Sequence, residues 1–142
     1  MGLTARPFYN AGSPMRSLED TPSEWRGMYD DYSGHGHERL LFTFANGAAK
    51  GEGVDKDGEF VYLGVYHPDG EVVLTKVYTR PFVPVPKSMT YRGTWNGSWI
   101  GGRWQDDWHP TSNCGPFELW PVDEELAVET LTAEQPEALG AR

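Results

Sequence analysis

Residues 38–78 read ERLLFTFANGAAKGEGVDKDGEFVYLGVYHPDGEVVLTKVY, and the turn dipeptides Asn46-Gly47, Asp57-Gly58 and Asp69-Gly70 cut this stretch. Asn-Gly and Asp-Gly accept the positive φ angles of tight turns whose twist matches that of paired strands, so each one between apolar runs predicts a hairpin. Asn96-Gly97 repeats the signal downstream. Turns this short pair neighbours in sequence, which predicts a meander with strands at about 25–32, 38–45, 48–54, 59–66, 71–78, 89–95, 98–108 and 116–120.

Alternation supports these strands. Leu40, Phe42 and Phe44 share one face of the second, Met89, Tyr91, Gly93 and Trp95 one face of the sixth, and Ile100, Gly102 and Trp104 one face of the seventh. Phe60 to Tyr66 is apolar on both faces, so its inward side stays open. Pro81, Pro84 and Pro86 cannot donate ladder hydrogen bonds, which makes Arg80 to Ser88 a long extended connection. An open sheet of this many strands would expose its edges, and closure removes them. Glycines within strands, at Gly51, Gly53, Gly64, Gly93, Gly101 and Gly102, suit the coiling of a small barrel. The expected fold class is all-β, a single antiparallel up-and-down β-barrel of about eight strands, with a two-sheet β-sandwich as the alternative.

The 142 residues make room for one domain. Residues 1–22 lack periodicity and read as a flexible arm, 23–121 as the barrel, and 122–142 as an acidic tail. Six acids and one base, Arg142, follow Pro121, so the tail carries five of the nine net negative charges. That balance argues against nucleic acid and against an anionic membrane surface, both of which are held by Lys and Arg. Cys114 is the only cysteine, so no disulfide can form within the chain, and the expected compartment is the cytoplasm. No leader or membrane-length apolar run is readable. Oligomeric state is left open.

Trp25-Arg26-Gly27-Met28-Tyr29 at the head of the meander, together with Tyr91 to Gly102 (YRGTWNGSWIGG), resembles the calycin superfamily of lipocalins and avidin-like proteins. The likeness covers about residues 25–120. It implies an up-and-down barrel holding a small ligand in its mouth, and it carries no binding residue across. Trp25 precedes Gly27, whereas the lipocalin pattern sets its glycine two positions before the tryptophan.

Candidate chemistry is sparse. His35 and His37, at i and i+2 on one strand face, have the spacing of a metal pair, but Glu38 points to the opposite face and the flanking glycines favour a solvated hairpin loop; no metal or cofactor is assigned. Asp55-Lys56-Asp57-Gly58 resembles a calcium loop superficially and reads as a turn. His109 and Cys114 could form a nucleophile pair only if the fold joined them, and Asp30-Asp31 and Asp106-Asp107 send successive side chains to opposite faces. The remaining signal is an aromatic share of 13%. Such rings either fill a core or line a pocket whose phenol and indole groups orient a ligand. The residues expected to touch that ligand are Tyr29, Tyr62, Lys76, Tyr78, Tyr91, Trp95 and Trp104; Lys76, if inward, would pair with an acidic ligand or a buried Glu. The first functional expectation is binding of a small, partly apolar ligand inside the barrel. A protein–protein interaction module without a pocket, and an isomerase- or cyclase-like barrel enzyme acting on a hydrophobic substrate, are the rivals.

Overall fold

The structure, a computed structural model, describes residues 15–123. Its strands are β1 (Glu24–Asp31), β2 (Gly34–Ala45), β3 (Ala48–Asp55), β4 (Gly58–Tyr66), β5 (Glu71–Pro81), β6 (Met89–Trp95), β7 (Ile100–Asp106) and β8 (Cys114–Pro121). Each pairs antiparallel with the next, and β8 returns to β1 from Trp25↔Pro121 to Tyr29↔Phe117. The result is a closed eight-stranded up-and-down barrel, and closure sets the sandwich alternative aside. The tail from residue 124 lies outside the described residues. Among the described residues no helix is long and apolar enough to cross a membrane.

The turn dipeptides do what their chemistry allows. Asn46 and Gly47 both take positive φ (54° and 80°), the pattern of a type I′ turn, and Gly70 and Gly97 are likewise positive. β2 starts at Gly34, four residues before the expected strand, so the glycine-rich His35 segment is strand and not loop. Gly36 explains this: a Cβ there would meet the Tyr29 ring at 2.1 Å, so the glycine makes room for an aromatic side chain from β1. On β4, Phe60 and Tyr62 are buried while Leu63 and Val65 face solvent, which settles the inward side left open by the sequence.

In an up-and-down barrel the connections alternate between the two ends. The turns at 46–47, 67–70 and 96–99 lie at one end, together with residues 15–23 and Val122. This end is solid. Within the stretch expected as an arm, a 3₁₀ turn at Leu18–Asp20 buries Leu18. Trp25 packs against Phe42 (5.2 Å between ring centres) and Trp95 (5.9 Å), and the Trp95 indole donates to the Arg16 carbonyl at 2.7 Å. From here rings continue through the interior, with Phe42 stacked on Tyr62 at 5.6 Å, Tyr62 against Tyr91 at 5.2 Å, and Tyr91 beside Trp104 at 6.4 Å. The opposite end, with connections at 32–33, 56–57, 82–88 and 107–113, is the mouth.

Because Trp95 is buried against Trp25 and the Arg16 backbone, truncating it leaves a cavity among its neighbours. Trp95→Ala is expected to lower the unfolding free energy by about 3–5 kcal/mol in denaturant titration. A loss below about 1 kcal/mol would mean that this end is already open.

Candidate functional site

Three strands converge on one buried ammonium. Lys76 on β5 shares an inward phase with Val72 and Leu74, Glu38 on β2 with Leu40 and Phe42, and Asp55 closes β3. The Lys76 Nζ donates to Glu38 Oε2 at 2.6 Å and to Asp55 Oδ2 at 2.7 Å, with all three side chains at most 1% exposed. Tyr62 donates to both Glu38 oxygens (3.0 and 2.9 Å) and Tyr78 to Asp55 Oδ2 (2.6 Å). Five rings surround the ammonium, those of Phe60, Tyr29, Tyr78, Tyr91 and Tyr62, at 4.2–5.6 Å. A cation taken out of water is tolerated only when its donors are met, and here carboxylates and ring faces meet them.

These contacts set the charges. Burial alone would discharge Lys76, but Glu38 and Asp55 outweigh it and hold the amine above its ordinary value. Burial raises the Glu38 carboxyl against the pull of Lys76, and the neighbouring Asp55 carboxylate adds to the rise. Tyr29, Tyr62, Tyr78 and Tyr91 are all raised above ordinary phenols, by burial first and by nearby carboxylates after it. The phenols are therefore neutral hydrogen-bonding groups, not phenolate bases, at neutral pH.

Above this cluster, at the mouth, lies a cleft of about 240 Å³. β1 and its turn supply Tyr29, Asp31, Tyr32 and Ser33; the β3–β4 turn supplies Lys56 and Asp57. Tyr78, Met89, Tyr91 and Trp104 form its deeper walls, and the proline-rich connection roofs it with Pro84, Val85 and Pro86. The roof is anchored at both ends by backbone hydrogen bonds, Phe82 N–H to the Asp57 carbonyl (2.8 Å) and Asp107 N–H to the Ser88 carbonyl (3.1 Å). The Trp104 indole is fixed by donating to the Asp30 carbonyl at 2.9 Å. The cleft is smaller than the roughly 300–1,000 Å³ sites that enclose drug-sized molecules.

Of the residues expected from sequence to touch a ligand, Tyr29, Tyr78, Tyr91 and Trp104 line this cleft together. Lys76 and Tyr62 lie beneath it in the buried cluster, and Trp95 stands at the other end of the barrel. Asp31, Lys56 and Asp57 also line the cleft, although Lys56 and Asp57 read from sequence only as a turn. Glu38 and Asp55 also escaped notice as core groups, although Glu38 is in phase with the apolar face of β2. His35 and His37 are exposed on the outer face of β2. Cys114 makes its contacts with Arg103 and the Thr111 carbonyl, while His109 faces Asp106 at 3.6 Å, so their recorded partners do not join them as a nucleophile pair.

The raised Glu38 carboxyl binds its proton more tightly folded than unfolded. Its contribution to stability is complete below the ordinary value of 4.5 and is lost as pH rises through the folded-state value. Glu38→Gln removes that titration. In denaturant unfolding above pH 4.5, stability of the unaltered protein is expected to fall with rising pH relative to the variant. A difference between the two that does not change with pH would contradict the assignment.

Compared with known proteins, the chain matches no family model, no curated protein and no solved structure.

Proposed function

We propose that the protein binds a small, partly apolar molecule in the mouth cleft, in the manner that the calycin-like architecture implies. The observation that carries this reading is the mouth cleft itself, a volume of about 240 Å³ that four strands border with aromatic rings. Tyr29, Tyr78, Tyr91 and Trp104, from β1, β5, β6 and β7, converge on it. A protein that needed only a core would gain stability by filling that volume. The ring faces suit an apolar body, and the carboxylates and amine at the rim suit one or two polar groups.

Catalysis is the weaker reading, because Tyr29, Tyr78 and Tyr91 are held neutral and the Glu38 carboxyl, raised by burial, is sealed beneath them. An interaction module has one feature in its favour. Tyr32, Phe82, Val83 and Trp108 are exposed around the same mouth, at 46–88%. A rim of this kind also serves a ligand entrance, and the cleft it surrounds is what an interaction surface would not require.

The test fills the cleft without touching the buried cluster. A small fluorescent apolar dye is expected to bind the unaltered protein saturably at one site, and Val85→Trp, which places an indole under the roof, is expected to weaken that binding at least about tenfold while unfolding free energy changes by less than about 1 kcal/mol. No saturable binding by the unaltered protein, or equal binding by the variant, would contradict the proposal.

A further inference from the structure

The chain's own lysines occupy two ammonium positions at two depths of the same aromatic shaft. The deep one is Lys76. The shallow one is Lys56, on the two-residue turn between β3 and β4, whose Nζ lies 2.9 Å from Asp31 Oδ2, 3.1 Å from Ser33 Oγ and 3.3 Å from both Asp57 oxygens, and 5.9 Å from the centre of the Tyr29 ring. The settings share paired carboxylates and differ in the number of rings and in exposure. Lys76 is sealed, whereas the Lys56 side chain is 36% exposed on a turn and can swing into solvent.

We infer that the mouth cleft takes a small organic ammonium with an apolar body, and that Lys56 is the displaceable occupant of the position its charge would fill. This rests on the binding reading above and names the ligand's class. Displacement leaves Asp31, Asp57, Ser33 Oγ and the Tyr29 face around the incoming ammonium, the same kind of donor set that holds Lys76. The body then lies toward Tyr91 and Trp104, whose rings are close to parallel (25°).

Charge selects in the same direction. The lining carries two carboxylates, Asp31 and Asp57, against one amine, Lys56. An anion entering the cleft meets this excess of negative charge. A cation replaces one ammonium by another and keeps the local balance. Burial opposes the charge, but the Lys56 ammonium and Ser33 hold Asp31 below the ordinary carboxylate range, as another ammonium in the same place would. Geometry holds the receiving groups in place as well. Asp55 Oδ1 accepts from the backbone N–H groups of Asp57 (2.8 Å) and Gly58 (3.2 Å), so the turn that presents Asp57 is tied to the buried cluster and stays when the Lys56 side chain leaves.

Three probes of one shape and different charge test the inference by calorimetric titration at fixed ionic strength: phenethylammonium, phenethyl alcohol and hydrocinnamate. The ammonium is expected to bind about tenfold more tightly than the alcohol, the ratio that one charge-assisted hydrogen bond readily supplies, and the carboxylate more weakly than either. Lys56→Met removes the internal competitor, so it is expected to tighten the ammonium several-fold and leave the alcohol unchanged. Asp57→Asn is expected to weaken the ammonium alone, with folding of both variants checked by denaturant unfolding. If the alcohol binds as tightly as the ammonium, the cation inference fails and the binding reading survives. If hydrocinnamate binds best and Lys56→Met abolishes it, the cleft is an anion site that recruits Lys56, and the inference is overturned. Binding of none of the three overturns the inference and counts against the binding reading as well.

Discussion

The Lys76 ammonium between Glu38 and Asp55 is the constraint on which the rest of the barrel depends. Burying three ionisable groups is expensive, and an ion pair in a protein interior is seldom more favourable than well-packed apolar side chains. Such a cluster fixes arrangement more than it adds stability. Lys76 reaches both carboxylates only if β2, β3 and β5 keep their present register, and a slip of one residue in any of them would turn the partner outward. Removing one member would strand the others without their charge, at a cost of about 3–5 kcal/mol.

The same cluster organises the mouth above it. Asp55 is the joint: Oδ2 accepts from Lys76 and Tyr78 inside the barrel, while Oδ1 accepts from the backbone of the β3–β4 turn at the rim. Tyr78 is fixed by Asp55, Tyr29 donates to Asp57 Oδ2 at 3.2 Å, and Tyr91 receives the Lys76 ammonium at 3.4 Å. Tyr29, Tyr78 and Tyr91 are thus each held from below or from the side. A ligand of the proposed kind would meet a cleft already formed, which reduces the ordering that binding would otherwise require.

Much of the architecture was legible in the residues. Asn46-Gly47, Asp57-Gly58, Asp69-Gly70 and Asn96-Gly97 located the hairpins because their backbone freedom is a local property. The start of β2 was hidden because Gly36 answers a distant demand, the ring of Tyr29 on the facing strand, and nothing adjacent to it reveals that ring. The inward lysine was foreseeable as one of two orientations. Its partners were not chosen, although Glu38 sits two residues before Leu40 and Lys76 two after Leu74, each in phase with a buried face. Asp55 was harder to see, since it follows Gly51 and Gly53, which give no apolar phase to read. The cleft combined expected and unexpected residues for the same reason. Rings such as Tyr91 and Trp104 belong to strand faces and can be placed by alternation, whereas Asp31, Lys56 and Asp57 acquire their roles only when turns from separate hairpins meet at one end of a closed barrel.

The account therefore turns on whether Lys76 is a charged group sealed beneath the mouth. Nuclear magnetic resonance of the lysine side-chain nitrogens and their protons tests this directly. The account predicts one ammonium whose protons are protected from exchange, shifted upfield by the surrounding rings, and still fully charged at pH 10.5, where an ordinary lysine is half titrated. A Lys76 signal that titrates at or below that pH, or whose protons exchange with water as fast as those of surface lysines, would contradict it.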